Sequence, residues 1–258
     1  MATLFNITLT GAQETPPVAS QATGEGSVVW DPTAQVAVYT FTVRGLDFAP
    51  VTGQGEATPA VDDDVTNAHF HNAPAGVAGP VVFGQIAPAQ DADDLVISQA
   101  TDSTEQNDDG SWTVSGIWDL GDPANVPIRN FGELLTAAQP GSDVPLYWNV
   151  HTTEFRAGEI RGQLVAARAE EAEGFRDALQ AITEGVHDIE AGRTREGLLD
   201  IHRGLTTALQ FDLGNFTKGV RDIQGGVHDL IHGDPGGNKE IREGLNEFFE
   251  AALSTVFH

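Results

Sequence analysis

The segment Glu159-Ile160-Arg161-Gly162-Gln163-Leu164-Val165 is followed by Phe175, Leu179, Ile182, Val186 and Ile189, and between the two the hydrophobic period changes. In the first, Ile160, Gly162 and Leu164 fall on one face of an extended chain and Glu159, Arg161 and Gln163 on the other. In the second, the apolar residues step by 4, 3, 4 and 3, the spacing of a narrow helical stripe that must be buried against another helix. The switch near residue 166 predicts two domains, strands over residues 1–166 and helices over residues 167–258.

Working back from Glu159, short alternating runs recur: Leu4–Leu9, Gly26–Trp30, Val36–Val43, Asn67–His71, Val81–Ile86, Leu95–Ser98, Trp112–Trp118 and Tyr147–His151. Gly, Pro, Asn and Asp separate them, and most gaps carry no helical pattern, so the expected fold is an antiparallel β-sandwich or barrel. Asp31-Pro-Thr and Asn107-Asp-Asp-Gly read as hairpin turns. Ile128, Phe131, Leu134 and Leu135 predict a short helix within Pro123–Gln139. Pro50–Thr66 reads as a long polar loop, whose Asp62, Asp63 and Asp64 form a weak candidate calcium site.

Working forward, the helical part predicts a small bundle. It contains a repeat, Gly-x-x-Asp-Ile-x-x-Gly, at Gly185–Gly192, Gly197–Gly204 and Gly219–Gly226, with a Leu variant at Gly226–Gly233. Glycine costs a helix interior about 1 kcal/mol relative to alanine, so its recurrence needs a reason. Close approach of a neighbouring backbone supplies one, with Gly219 and Gly226 as candidate assembly residues; Gly192 and Gly233 read equally well as helix ends. Asp188, Asp200, Asp222 and Asp229 read as solvated, with calcium as the lesser alternative.

The chain carries 38 acidic and 13 basic residues, a formal charge of −25. Phosphate would be repelled over most of its surface, which argues against nucleic acid or an anionic membrane as partner. No apolar run reaches the roughly 20 residues of a bilayer-spanning helix. With no cysteine, disulfides, thiolate metal sites and cysteine nucleophiles are excluded. The opening residues alternate like a strand and the first basic side chain is Arg44, so no signal peptide is read there.

Catalytic signatures are sparse. There is no Gly-x-Ser-x-Gly elbow, Walker loop or dinucleotide fingerprint. What stands out is His69-Phe70-His71 beside Asn149-Val150-His151. On a strand His69 and His71 share a face, as do Asn149 and His151. Two imidazoles on one strand can lean onto one ion, and a third from a neighbouring strand completes a three-nitrogen site suited to copper or zinc. The same pattern suits a polar cluster in which the histidines bond backbone carbonyls and Glu159.

Leu9-Thr10-Gly11-Ala12-Gln13-Glu14-Thr15-Pro16-Pro17-Val18, Thr23-Gly24, Ala68-His69-Phe70-His71, Gly79-Pro80-Val81-Val82, Asn149-Val150-His151-Thr152 and Gly158-Glu159-Ile160-Arg161-Gly162-Gln163 occur in this order. Together they resemble the CHRD (chordin-type) domain over about residues 3–166. The resemblance implies a β-sandwich module of extracellular or cell-envelope proteins, found in animals in a secreted growth-factor antagonist. It covers no helical residue and supplies no catalytic mechanism. Pro50–Thr66 and Asp119–Ser142 look longer than the family's core pattern.

The His-x-His strand is also similar in local geometry to the copper site of Cu/Zn superoxide dismutases. A dismutase, however, needs a positive funnel for its anionic substrate, and residues 1–165 carry 21 acidic and 4 basic side chains, a formal −17. Binding is therefore favoured over turnover. The leading expectation is a non-enzymatic extracellular or cell-surface module that binds or self-associates, as a homo-oligomer or filament, with the helices as an assembly element. The alternative is a copper or zinc protein, redox or storage, using His69, His71 and His151. A third reading takes Ala251–His258 as a leaderless export signal.

Overall fold

The computed structural model describes residues 2–52, 58–86, 96–99, 110–120 and 126–190, together with 193, 197, 199–201 and 204. The chain divides into two compact units, Met1–Ala166 and Ala167–His258, each described by itself.

The first unit contains strands β1 (Thr3–Thr10), β2 (Thr23–Asp31), β3 (Val36–Arg44), β4 (Val65–His71), β5 (Val81–Ile86), β6 (Val96–Gln99), β7 (Trp112–Trp118), β8 (Asp143–Thr152) and β9 (Ile160–Ala166). They form one sheet in the order β5-β4-β8-β9-β1-β2-β3-β7-β6, and every neighbouring pair is antiparallel. The sheet curls until its two ends meet. Phe83 of β5 stacks on Trp118 of β7 at 5.0 Å between ring centroids, and Phe70 of β4 meets Tyr39 of β3 edge-on at 5.3 Å. The result is a nearly closed, barrel-like sheet, which settles the sandwich-or-barrel alternative in favour of a single continuous sheet.

Period-two alternation builds the core. Ala37, Tyr39, Phe41 and Val43 point inward from β3, Leu146, Trp148 and Val150 from β8, and Ile160 and Leu164 from β9, all buried. Gly162 lies on the same inner face as Ile160 and Leu164. A Cβ there would sit 2.5 Å from Ile7 Cγ1 and 2.7 Å from the Thr8 carbonyl oxygen, so β1 packs into the space that the missing side chain leaves.

The β2–β3 turn forms where Asp31-Pro-Thr predicts it: Asp31 Oδ1 accepts from the Thr33 and Ala34 amides at 2.7 and 3.2 Å. The short helix expected in Pro123–Gln139 is a 3-10 turn, Ile128–Phe131, running into a helix, Gly132–Thr136. Its Ile128 and Leu135 are buried against the core, and Trp30 Nε1 donates to Thr136 Oγ1 at 2.9 Å. The loop expected over Pro50–Thr66 departs from that reading at its start, where Ala49–Thr52 makes one helical turn. Pro50 favours this because its fixed φ suits the first helical turn, where its missing amide costs nothing.

In the second unit a helix spans Ala169–Glu190 and buries Phe175, Ala178, Ala181 and Ile182 along one stripe. Gly197, Leu199–Ile201 and Gly204 are also helical. A Cβ on Gly185 would lie 2.5 Å from the Gly197 carbonyl oxygen and 2.7 Å from Ile201 Cγ1; one on Gly204 would lie 2.6 Å from both the Ala178 carbonyl oxygen and Ile182 Cγ1. At these two positions the repeat's glycines serve close backbone packing. The later repeats with Gly219 and Gly226, the turn at Asn107 and the segment Ala251–His258 lie outside the described residues.

Gly162→Ala is expected to lower the stability of the strand unit by about 1–3 kcal/mol, because an inserted methyl must displace backbone in a packed core. Urea unfolding followed by tryptophan fluorescence checks this; an unchanged midpoint would mean that β1 does not approach β9 so closely.

Candidate metal centre

The residues that alternate with the core face outward from β4, β8 and β9. They comprise His69 and His71 on β4, Tyr147, Asn149 and His151 on β8, and Arg161 and Gln163 on β9. The register pairs His69 with Asn149 and His71 with Tyr147, and Asn149 in turn with Arg161. Across an antiparallel pair the diagonal neighbours are also within reach of long side chains. Along one diagonal His69 meets His151, with Nδ1 3.3 Å from Nε2.

The three imidazoles converge. Ring centroids lie 5.1 Å apart for His69 and His151, 5.6 Å for His69 and His71, and 6.3 Å for His71 and His151. One nitrogen from each comes within 4.8 Å of the others. Among the described residues this is the one group of three or more His, Asp or Glu side chains so placed. Each histidine is only 7–8% exposed, although all three sit on the outer face of the sheet.

Two segments lie over this face of the sheet. The segment 72–80 folds back over the outer face and is pinned there by side chains from β8 and β9. Arg161 donates to the Val77 and Pro74 carbonyls at 2.9 and 3.0 Å, Gln163 Nε2 donates to the Ala73 carbonyl at 3.0 Å, and the Gly79 amide donates to Tyr147 Oη at 3.2 Å. The segment after β1 covers the other flank. There Asn149 Nδ2 donates to Glu14 Oε1 at 3.3 Å, and Arg161 reaches Thr15 Oγ1 at 3.4 Å. The Arg161 guanidinium lies 3.4 Å over the Tyr147 ring, and Tyr147 stacks on His71 at 4.8 Å, nearly parallel. A pocket of about 230 Å3 opens beside Arg161, Glu14 and Gln163. No histidine lines it.

Hydrogen bonds set the tautomers. A backbone carbonyl only accepts, so His71 Nδ1, 2.9 Å from Gly79 O, carries the proton. His151 Nδ1, 3.0 Å from Arg156 O, does the same. In the neutral rings both Nε2 atoms therefore carry lone pairs; that of His151 accepts from His69 Nδ1 at 3.3 Å. His71 Nε2 is buried and has no hydrogen-bond partner. Burial holds both His71 and His151 below their ordinary pKa, against the opposing pull of those carbonyls. Burial raises Glu14 above the usual carboxylate value, partly offset by its bond from Asn149.

The other candidates fare differently. Glu159 does not serve the histidines; its carboxylate accepts from Ser20 Oγ at 2.7 Å and Thr152 Oγ1 at 2.6 Å. Asp63 takes the Thr58 hydroxyl at 3.0 Å. The Asp62, Asp63 and Asp64 carbonyls accept from the Glu154, Asp47 and Thr153 amides. This loop is thus tied down by its backbone, and Asp62, Asp63 and Asp64 do not form a group of converging ligands. Sequence reasoning missed the carbonyls of Gly79 and Arg156, which no residue type announces, and the stacking of Arg161, Tyr147 and His71.

A family profile described as the CHRD domain matches residues 5–164, more than half of the chain. The chain belongs to the CHRD family. No curated protein matches it, and no solved structure does. CHRD is an extracellular-type binding-module family and is not a known enzyme family. The geometry explains several of the CHRD motif positions physically. Arg161 and Gln163 fasten the 72–80 segment, Gly162 admits β1, and Glu159 ties Ser20 to Thr152.

The pKa directions fix a sign. A histidine held below its ordinary 6.5 binds fewer protons folded than unfolded between the two values. Its stabilising contribution is complete above the unfolded value and declines as pH falls through it toward the folded one. Glu14, raised from 4.5, works the other way, its contribution declining as pH rises from 4.5 toward the folded value. In metal-free protein the urea midpoint is expected to fall between about pH 7.5 and 5.5, and less steeply in the H71Q/H151Q variant. Equal slopes would show that the imidazoles are not held neutral.

Proposed function

We propose that this CHRD chain is an extracellular, metal-holding module that binds one copper or zinc ion through His69, His71 and His151. The observation that carries the reading is the convergence of three buried imidazoles, with nitrogens within 4.8 Å of one another. Two of them have their lone pairs oriented by backbone carbonyls. Packing three imidazoles together while His71 Nε2 lacks a partner is unfavourable by itself. A buried acceptor without a donor costs about 1–3 kcal/mol, and a cation shared by the three nitrogens offsets that cost.

Holding is favoured over turnover on two grounds. The −17 of residues 1–165 repels anionic substrates. The pocket beside Arg161 is lined by none of the three histidines, so a small molecule lodged there would lie beside the centre and not on it.

Tag-free protein equilibrated with Zn(II) or Cu(II) and desalted is expected to retain one equivalent of metal. His151→Ala is expected to weaken binding by at least about 100-fold, more than loss of an outer-shell partner does. Metal analysis and competition with a chelator of known affinity check both. Less than a tenth of an equivalent on the wild-type chain would overturn the reading.

A further inference from the structure

The diagonal that brings His69 to His151 also brings His71 to Asn149, because each pair links a β4 residue to the β8 residue two beyond its register partner. Asn149 is 3% exposed, and its carboxamide has a defined orientation. Nδ2 donates to Glu14 Oε1 at 3.3 Å, and since a carboxylate oxygen accepts, the amide nitrogen and not the oxygen must face Glu14. Oδ1 is left on the other side, buried and without a hydrogen-bond partner.

The room for this arrangement comes from Gly158, which has φ +125° and whose absent Cβ would run into Glu14 Oε1 and approach Asn149 Nδ2 to 2.8 Å. Any other residue there would push Glu14 and Asn149 apart.

Asn149 Oδ1 and His71 Nε2 are thus two buried acceptors without donors, on neighbouring side chains. The register sets the two side chains side by side, and with the His71 proton on Nδ1 neither atom has a donor. Two such acceptors are reconciled either by a proton on Nε2, which makes His71 the donor, or by a cation that both atoms share.

We infer that Asn149 Oδ1 is the fourth ligand of the histidine centre, making a three-nitrogen, one-oxygen site selective for divalent Zn(II) and Cu(II) over Cu(I). The inference rests on the metal-binding reading of the three histidines and extends it. An amide oxygen is a hard donor: it suits Zn(II) and Cu(II) alongside imidazole and adds little for the soft Cu(I) ion. Glu14, holding Nδ2, acts behind the ligand as the partner that keeps Oδ1 turned toward the imidazoles.

The test uses the full chain and three probes: Zn(II), Cu(II), and Cu(I) under anaerobic reducing conditions. Asn149→Ala is expected to lose Zn(II) and Cu(II) affinity by about 10–100-fold, the range for a lost supporting contact at a metal, while Cu(I) affinity is unchanged. Asn149→Asp, which keeps an oxygen in place, is expected to restore divalent binding. The Cu(II) paramagnetic resonance spectrum is expected to keep the coupling of three imidazole nitrogens in Asn149→Ala while its g and hyperfine values shift.

Equal loss of all three ions in Asn149→Ala would mark the residue as merely structural, and unchanged divalent affinity would exclude it as a ligand. Either overturns the inference while leaving the histidine site standing. A wild-type chain that binds no metal overturns both. Should Asn149→Ala not fold, Asn149→Asp alone decides: divalent affinity equal to or tighter than that of the wild-type chain at constant Cu(I) affinity supports the inference, and weakened binding of all three ions overturns it.

Discussion

A guanidinium that is 1% exposed must find acceptors for its donors, because an uncompensated buried charge costs several kcal/mol. Arg161 finds them in the Pro74 and Val77 carbonyls, Thr15 Oγ1 and Gln163 Oε1, and it rests on the face of Tyr147. None of these partners except Gln163 is near it in sequence. Satisfying this one cation draws the 72–80 segment and the turn after β1 over the outer face of the sheet. The cover in turn meets His71 and fixes its tautomer through Gly79. The setting of His71 is in this sense a consequence of how Arg161 is housed.

The sheet supplies the second requirement, a register that does not slip. A slip of β4 by one residue would turn Phe70 outward and His69 and His71 into the core. Phe70, Phe41, Trp148, Tyr39, Phe83 and Trp118 contact one another across the barrel interior, so the aromatic core holds the register that the outer face needs. The core and the site are the two faces of the same strands.

The helical unit answers to a different constraint. Gly185 and Gly204 allow backbones to come together where any side chain would separate them. The gain in packing offsets the conformational cost of glycine in a helix. Among the described residues, none of this unit contributes to the histidine group.

The sequence by itself determined the strands, the inward and outward faces of β4, β8 and β9, the change to helical period near residue 166, the CHRD relationship and the pairing of His69 with His71. All of these follow from local spacing, which period-two and period-3.5 patterns expose directly. Only the tertiary structure decided that the sheet closes on itself, that His151 and Asn149 meet the β4 histidines along one diagonal, that Glu159 serves Ser20 and Thr152 instead, and that Asp62, Asp63 and Asp64 brace a loop. Those outcomes depend on strand order and on which carbonyls a distant loop presents. Backbone acceptors look alike at every position of a sequence, so no pattern of side chains could have named Gly79 or Arg156.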